Sequence, residues 1–230
     1  MTNLTGLYFY QNQIKTLSET IFNDLVNLEE LNLSSNKIES IGKELFKNLK
    51  NVKDLQLDDN LLETISSEQF ENMTALESIK LDYNKIKNLN PFTFSKLNNL
   101  EHIDLEENQI ECVDSKAFWN LSKLKTINLS KNKISFLRSE AFGSFDTMSS
   151  LEEIKIEQNQ IEFIDMRTLV KLIKLDRSNL SICEKFKLKG IDFFPGGLSK
   201  ITNEAVGDLV RLAYEVNFSN LFGAGVLNKF

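Results

Sequence analysis

The chain has 230 residues and a net charge of −6, and its length is sufficient to bury a sizeable core. The acidic balance argues against a nucleic-acid partner, since a general nucleic-acid binder needs a basic face to neutralise phosphates. No run of eighteen apolar residues is present, so no segment of the sequence is suited to span a membrane.

A pattern with a period of 24 residues runs through most of the chain. Each unit follows LxxLxLxxNxIxxIxxxxFxxLxx, and the third unit reads VKDLQLDDNLLETISSEQFENMTA. A seventh unit begins at Leu151 after a three-residue insertion, and a shorter eighth begins at Val170. A fixed period of this length is the sequence signature of a solenoid. The first residues of the six regular units are Leu4, Leu28, Val52, Leu76, Leu100 and Leu124.

These units resemble the typical 24-residue class of leucine-rich repeat, strongly over residues 1–183 and weakly over 184–201. The resemblance implies an α/β solenoid, a curved right-handed horseshoe with a parallel β-sheet on its concave face and an irregular or short helical convex side. The isoleucine-rich units with a recurring phenylalanine resemble insect extracellular receptors and secreted immune or adhesion proteins. The resemblance therefore implies a non-catalytic module for protein recognition.

The repeated apolar and asparagine positions are predicted to build the core. In LxLxx the leucines alternate with period two, so they point inward from a short strand. With 9 glycines and 2 prolines, the chain must turn by another repeated device. We expect the recurring asparagine to supply it, because an amide both donates and accepts and can satisfy backbone groups in the turn. The recurring phenylalanines are predicted to fill the convex side: Phe22, Phe46, Phe70, Phe94, Phe118 and Phe142.

The outward strand positions of units two to five carry eleven carboxylates and two lysines. Asp58, Asp82 and Glu106 are expected to stack at the strand spacing, where like charges repel by about 1 kcal/mol even in bulk water. This arrangement favours a protein partner that is basic at its contact surface. The alternatives are a solvated acidic face and a calcium site, although no EF-hand-like loop is present. The predicted partner-binding residues are Asp54, Asp58, Asp82, Tyr83, His102, Asp104, Glu106 and Glu107.

A second column follows the asparagine turn and is polar in the first four units. In the later units it becomes apolar, and we name this part the lateral apolar strip: Cys112, Phe136, Phe163 and Ile182. A contiguous apolar strip is typical of a docking surface. The sequence leaves two interpretations, which are coverage by the chain's own C-terminal residues and an interface for a partner or a second copy.

The sequence does not predict an enzyme. His102, with Ser78 as a strand neighbour and Asp104 two residues on, can be drawn as a Ser–His–Asp set. However, an open sheet face offers no glycine-rich turn for an oxyanion hole and no pocket that excludes water. The chain has one histidine and two cysteines without metal-ligand spacing, and we expect neither a metal nor a cofactor.

The cysteines and the glycosylation sequons point to different cellular compartments. Cys112 and Cys183 are predicted to lie about 15 Å apart, three strand spacings, whereas a disulfide needs Cα atoms within about 7 Å. Two free thiols fit a cytosolic scaffold or regulatory subunit, the alternative to an extracellular protein or ectodomain. Glycosylation sequons favour the extracellular interpretation. Besides one at Asn3, the sequons that we take as candidate glycosylation sites are at Asn32, Asn72, Asn120, Asn128, Asn179 and Asn217.

The C-terminal end departs from the repeat, whereas the N-terminal end follows it. We expect residues 1–183 to form the solenoid and residues 184–230 to form a degenerate repeat with a helical, cap-like tail. In that tail NEAVGDLVRLAYEV has apolar residues at helical spacing. Met1 occupies a slot that is apolar in later units, such as Leu25 and Met73, so we expect the sequence to begin within a longer solenoid.

Overall fold

The computed structural model describes residues 3–142, 148–161 and 163–164, and the repeated units form short parallel strands at regular intervals. Helical structure in this part is limited to α1, Ser67–Phe70, and a 3-10 turn at Ser139–Phe142. In chain order the strands are β1 (Gly6–Tyr8), β2 (Glu30–Asn32), β3 (Asp54–Gln56), β4 (Ser78–Lys80), β5 (Asn88–Leu89), β6 (His102–Asp104), β7 (Cys112–Val113), β8 (Thr126–Asn128), β9 (Phe136–Leu137), β10 (Glu153–Lys155) and β11 (Phe163–Ile164).

The strands form two parallel sheets that lie along the solenoid. The LxLxx segments make the larger sheet, in the order β1-β2-β3-β4-β6-β8-β10. A smaller sheet, in the order β11-β9-β7-β5, follows the column just after the asparagine turn. Each strand pairs with the equivalent strand of the next turn, as in the alignment of Leu31 with Leu55 and of Leu55 with Ile79. The predicted leucine-rich repeat solenoid is therefore confirmed, with about six turns.

The phenylalanine column forms a continuous stack, as predicted. Neighbouring rings have centroids 5.5–6.4 Å apart and lie within 18° of parallel. All six side chains are at most 1% exposed. The stack holds each described turn against the next, because each ring contacts the equivalent ring of the adjacent turn.

The asparagines form the predicted ladder. Asn84 Nδ2 donates to the carbonyl of Leu81 in its own turn at 3.1 Å and to that of Leu57 in the preceding turn at 2.9 Å. Its Oδ1 accepts the backbone N–H of Leu62 at 3.0 Å. The same three contacts recur at Asn36, Asn60, Asn108, Asn132 and Asn159.

The turn before each asparagine uses a left-handed residue that the sequence did not reveal. The position preceding the ladder asparagine has φ between 50° and 56° in seven turns, and none of these residues is glycine. The side chains there face solvent or the larger sheet, so their identity is free to vary. The residues are Gln11, Ser35, Asp59, Tyr83, Glu107, Lys131 and Gln158.

The predicted eighth unit, the division at residues 183 and 184 and the helical tail lie outside the described residues. Within the described part of the chain, no helix is long and apolar enough to cross a membrane.

Candidate protein-binding face

The outward positions of the larger sheet form an aligned grid, as the period predicts. One column aligns Asp54, Ser78 and His102, and the next aligns Gln56, Lys80 and Asp104. Because neighbouring parallel strands lie about 4.8 Å apart, each side chain is within reach of its equivalents in the adjacent turns. This grid positions the residues predicted to bind a partner.

Lysines one turn away form ion pairs with four of the eleven grid carboxylates of units two to five. Lys53 Nζ lies 2.7 Å from Glu29 Oε2, and Lys125 forms the equivalent ion pair with Glu101. The lysine and the carboxylate of each pair occupy the same repeat position, 24 residues apart. The acidity read from composition is therefore not spread evenly over the face.

Glu106 and Glu107 belong to this neutralised group. Lys131 Nζ lies 2.9 Å from Glu106 Oε1 and 3.3 Å from Glu107 Oε1. Asn128 Nδ2 also donates to Glu106 at 3.0 Å. The hydrogen bond from Lys131 is the main reason that the pKa of Glu106 is lowered. The repulsive column expected for Asp58, Asp82 and Glu106 is thus offset at its third member.

Asp58, Asp82 and Asp104 have no ion pair among the described residues and lie close enough for their charges to repel, and we name them the aspartate cluster. Four other carboxylates of the grid also lack an ion pair there: Glu30, Asp54, Asp59 and Glu77. Asp58 and Asp82 are half-buried, and the Oδ1 atom of each is buried with no hydrogen-bond partner. Asp104 Oδ1 accepts the backbone N–H of Glu106 at 3.0 Å.

Burial and mutual repulsion raise the pKa of two members of the cluster, Asp58 and Asp82. Burial, with the charges of Asp104 and Asp58, raises the pKa of Asp82 to about 6, and Lys80 offsets part of this effect. The pKa of Asp58 is also raised, chiefly by burial. A carboxylate whose charged form is disfavoured in this way gains most from an added cation.

Tyr83 lies beside this cluster on the left-handed turn position and is 49% exposed. The charge of Glu107 is the main reason that its pKa is raised. Asp54, also predicted to bind the partner, is half-buried on β3 next to Ser78. The structure therefore brings Asp54, Asp58, Asp82, Tyr83 and Asp104 onto one surface.

The arrangement around His102 does not form a catalytic set. His102 aligns with Ser78 and Thr126, as predicted, and its Nδ1 lies 2.9 Å from Thr126 Oγ1. Within the described residues it makes no hydrogen bond to Ser78 or Asp104. The imidazole is exposed on an open sheet, and its Nε2 lies 3.9 Å from Glu101 Oε2.

The smaller sheet aligns the lateral apolar strip. Cys112 pairs in register with Asn88 and Phe136, and the backbone of Phe163 pairs with that of Phe136. Phe136 is 50% exposed, and Cys112 is an exposed free thiol whose pKa is raised by burial and by Asp114. The side chain of Phe163 and all of Ile182 lie outside the described residues.

The sequence matches the family described as BspA type leucine rich repeat region, in six copies, over residues 15–145 and 65–194. The chain belongs to the leucine-rich repeat proteins. This family generally consists of non-catalytic proteins, and its repeats are commonly protein-interaction modules. A comparison with curated protein sequences gives no significant match.

Solved leucine-rich repeat structures also match this chain. A leucine-rich repeat protein of Leptospira interrogans is 30% identical with a TM-score of 0.64, over 76% of this chain and 42% of that chain. TLR13, solved as a TLR13–ssRNA13 complex, is 31% identical with a TM-score of 0.63, over 68% of this chain and 22% of that one. Drosophila Toll was solved in a Toll–Spätzle complex described as a hub in development and innate immunity. It is 27% identical with a TM-score of 0.64, over 71% of this chain and 23% of that chain. The leucine-rich repeat chain thus spans less than half the length of each.

The candidate sequons differ in their surroundings. Asn32 Nδ2 donates to Gln56 Oε1 at 2.7 Å across the larger sheet, and Asn128 Nδ2 is held by Glu106. Asn72 is half-buried, whereas Asn120 is exposed. Asn179 and Asn217 lie outside the described residues.

Sequence reasoning missed an aromatic cluster on the convex side. Lys116 Nζ lies 5.6 Å from the ring centroid of Phe92 and 5.2 Å from that of Trp119. Phe92 and Trp119 are 42% and 41% exposed. A signal was present, because these residues occupy convex positions of adjacent units that are polar elsewhere, and Trp119 is the single tryptophan of the chain.

Proposed function

We propose that this chain is a non-catalytic recognition module that binds a basic protein surface through the aspartate cluster on its larger sheet. The observation that carries the proposal is the uneven neutralisation of the acidic face. Lysines pair with Glu29, Glu101, Glu106 and Glu107. Asp58, Asp82 and Asp104 have no ion pair among the described residues, and the buried Oδ1 atoms of Asp58 and Asp82 accept no hydrogen bond. A lysine or arginine of a partner relieves the mutual repulsion of the cluster and fills the place of the missing counter-charge.

The exposed residues around the cluster suit a protein partner. Tyr83 offers a ring for an arginine or lysine side chain, since cations favour the faces of aromatic rings. His102 and Asp54 continue the surface along one column. Glu106 and Glu107 stay in the proposed site as its rim, where their ion pairs with Lys131 limit their contribution to affinity. We favour a protein over an RNA, although TLR13 was solved with ssRNA13, because the face is acidic.

A selection experiment tests the proposal. The full chain is immobilised, and a displayed random peptide library is selected on it at low and at moderate salt. We expect enrichment of lysine- and arginine-rich peptides, and we expect the triple variant Asp58→Asn, Asp82→Asn and Asp104→Asn to weaken them by about one to two orders of magnitude. Asparagine keeps the size of aspartate and removes a destabilised charge, so the variant should fold.

The matched control changes net charge by the same amount elsewhere. Glu39, Glu68 and Glu111 are exposed carboxylates outside the larger sheet, and their replacement by glutamine should leave peptide binding within about twofold. If both triple variants lose peptide binding equally, overall net charge explains the loss and the position of the cluster does not. If both triple variants keep peptide binding equally, the aspartate cluster is not part of the binding site.

We propose further that the module belongs to an extracellular receptor or to a secreted immune or adhesion protein that carries N-linked glycans. The similarity to Toll, which was also solved in a glycosylated form, supports this placement. The exposed free thiol of Cys112 favours the alternative, a cytosolic scaffold or regulatory subunit. Intact mass before and after glycosidase treatment, on chain exported from eukaryotic cells, separates the two.

The lateral apolar strip is proposed as a second contact surface, through which two copies dimerise. Its support is the exposed ring of Phe136 in line with Cys112. Sedimentation analysis over a range of concentrations tests this proposal, and a chain that stays monomeric at all of them contradicts it.

A further inference from the structure

The aromatic cluster on the convex side is a surface with no role in the proposed binding face. Phe92 and Trp119 expose about two-fifths of their surface, and the Lys116 ammonium lies between the two rings. The backbone holds them there, because Phe92 N donates to Lys116 O at 3.0 Å and both residues have φ above 60°. A left-handed phenylalanine is uncommon, which indicates that the surrounding turns impose this conformation.

A glycosylation sequon follows directly after the tryptophan. Asn120, Leu121 and Ser122 form it, and the structure leaves the asparagine and the serine exposed while Leu121 is buried. Asn120 has φ 66°, and its Nδ2 donates to Asn98 Oδ1 at 3.0 Å on the exposed surface. The Asn120 amide is therefore exposed, and the buried side chain of Leu121 anchors the turn that carries it.

The other described candidates are less suitable as attachment points. The amides of Asn32 and Asn128 are hydrogen-bonded across the larger sheet, so a glycan there would break those contacts and cover the proposed binding face. Asn72 is half-buried. Asn120 loses only an exposed side-chain hydrogen bond when it is modified.

We infer that Asn120 carries an N-linked glycan whose first sugar residues pack on Trp119 and shield the aromatic cluster from water. The inference rests on the extracellular placement in the proposed function. Asn120 directly follows Trp119, with Cα atoms about 3.8 Å apart, which places the attachment point within reach of the indole ring. Sugar rings present a face of C–H groups that packs on aromatic surfaces, which accounts for an exposed tryptophan and phenylalanine lying together at this place.

The modification is a group transfer that needs a polyprenyl-pyrophosphate-linked oligosaccharide as its donor. Asn120 Nδ2 forms a bond to the anomeric carbon of the oligosaccharide. The bond from that carbon to the pyrophosphate oxygen breaks, polyprenyl pyrophosphate leaves, and the amide gives up one proton. The product keeps one N–H on the amide, which remains able to donate a hydrogen bond.

Trp119 reports on the site directly, because it is the single tryptophan of the chain. The experiment uses the full chain secreted by eukaryotic cells, with glycopeptide mapping for occupancy and acrylamide quenching of tryptophan fluorescence for exposure. The test variant is Ser122→Ala, which removes the sequon and keeps the left-handed Asn120. The control variant is Thr74→Ala, which removes the sequon at Asn72 in the same manner.

We expect Asn120 to be occupied, and the quenching constant of Trp119 to rise about twofold in Ser122→Ala, as expected when a covered ring becomes exposed. Thr74→Ala should leave quenching unchanged. An unoccupied Asn120, or equal quenching with and without its glycan, overturns the inference.

The outcomes separate this inference from the proposed function. Glycans at other sequons with a bare Asn120 overturn the inference alone. A secreted chain with no glycan at any sequon overturns both the inference and the support that glycosylation gives to the extracellular placement. Peptide binding by the aspartate cluster is measured on the same preparations and should be equal in wild type and Ser122→Ala.

Discussion

At the scale of single residues, the aspartate cluster lowers the stability of the fold, and we propose that partner binding offsets this cost. Asp82 is half-buried, and the Oδ1 atoms of Asp58 and Asp82 find no hydrogen-bond partner. A solenoid designed for stability alone would place serine or asparagine there, as the turns of Ser34 and Ser130 do. The ion-paired carboxylates nearby, such as Glu101 with Lys125, carry no such cost.

This cost predicts the pH dependence of folding. The pKa of Asp82 is 3.8 when unperturbed and about 6 in the fold, so between these values the folded chain binds more protons than the unfolded one. The free energy of unfolding should therefore fall as the pH rises from about 4 to about 6. Asp82→Asn should flatten that slope and stabilise the chain by about 1–2 kcal/mol at pH 7, with allowance for solvent screening. Urea unfolding at several pH values measures both effects.

A control of opposite sign is available. The pKa of Glu63 is lowered by its hydrogen bond with Lys87, so its charged form favours the fold. Glu63→Gln should weaken stability slightly above pH 5 and leave the slope assigned to Asp82 intact. If Asp82→Asn destabilises the chain at pH 7, the buried carboxylate has a partner that the described contacts do not include.

At the scale of the structural element, the asparagine ladder allows the chain to turn without glycine. Each amide satisfies one N–H and two carbonyls that the turn would leave without partners, across two adjacent units. The left-handed residue before it completes the turn. Local conformation and contact with the next unit are therefore set by the same side chain.

The ladder predicts a large effect from one small substitution. Asn84→Ala leaves the buried N–H of Leu62 and the carbonyl of Leu57 without these partners, and we expect a loss of about 2–4 kcal/mol in the free energy of unfolding. Asn51→Ala removes one exposed hydrogen bond to Val26 O and should cost about 0.5 kcal/mol or less. Thermal or urea unfolding compares the two. Similar losses would mean that the ladder is not what stabilises the turns.

At the scale of the whole molecule, each described turn is stabilised by its neighbours. The core is one apolar cluster, and strand pairing and ring stacking join successive turns. Stability in such a stack is approximately a sum of unit and interface contributions. The position of a substitution along the stack therefore matters as much as its chemistry.

Two equivalent phenylalanines test this dependence on position. Phe94 stacks on Phe70 and Phe118, whereas Phe22 stacks on Phe46 alone among the described rings. Phe94→Ala should cost about 3–5 kcal/mol and speed hydrogen exchange in the turns on both sides. Phe22→Ala should cost less and affect exchange mainly in residues 6–32. Equal and uniform effects would show a single cooperative unit instead of a stack.

The amino-acid sequence by itself determined the solenoid, the ladder and the phenylalanine stack. Strand pairs and stacked rings are contacts between a position and its equivalent 24 residues away. The ladder joins each asparagine to fixed positions of the preceding turn, so the period of the sequence also specifies those contacts. The grid of outward residues followed for the same reason, including the alignment of Asp54, Ser78 and His102.

Only the tertiary structure decided which carboxylates keep an unbalanced charge. Whether a lysine reaches Glu106 or leaves Asp82 alone depends on side-chain length, direction and burial, and the repeat period does not encode these. The same holds for Trp119, Phe92 and Lys116, whose cluster arises from left-handed backbone on the irregular convex side. The period specifies the frame of this protein, and the packing of its variable side chains specifies the surfaces available for recognition.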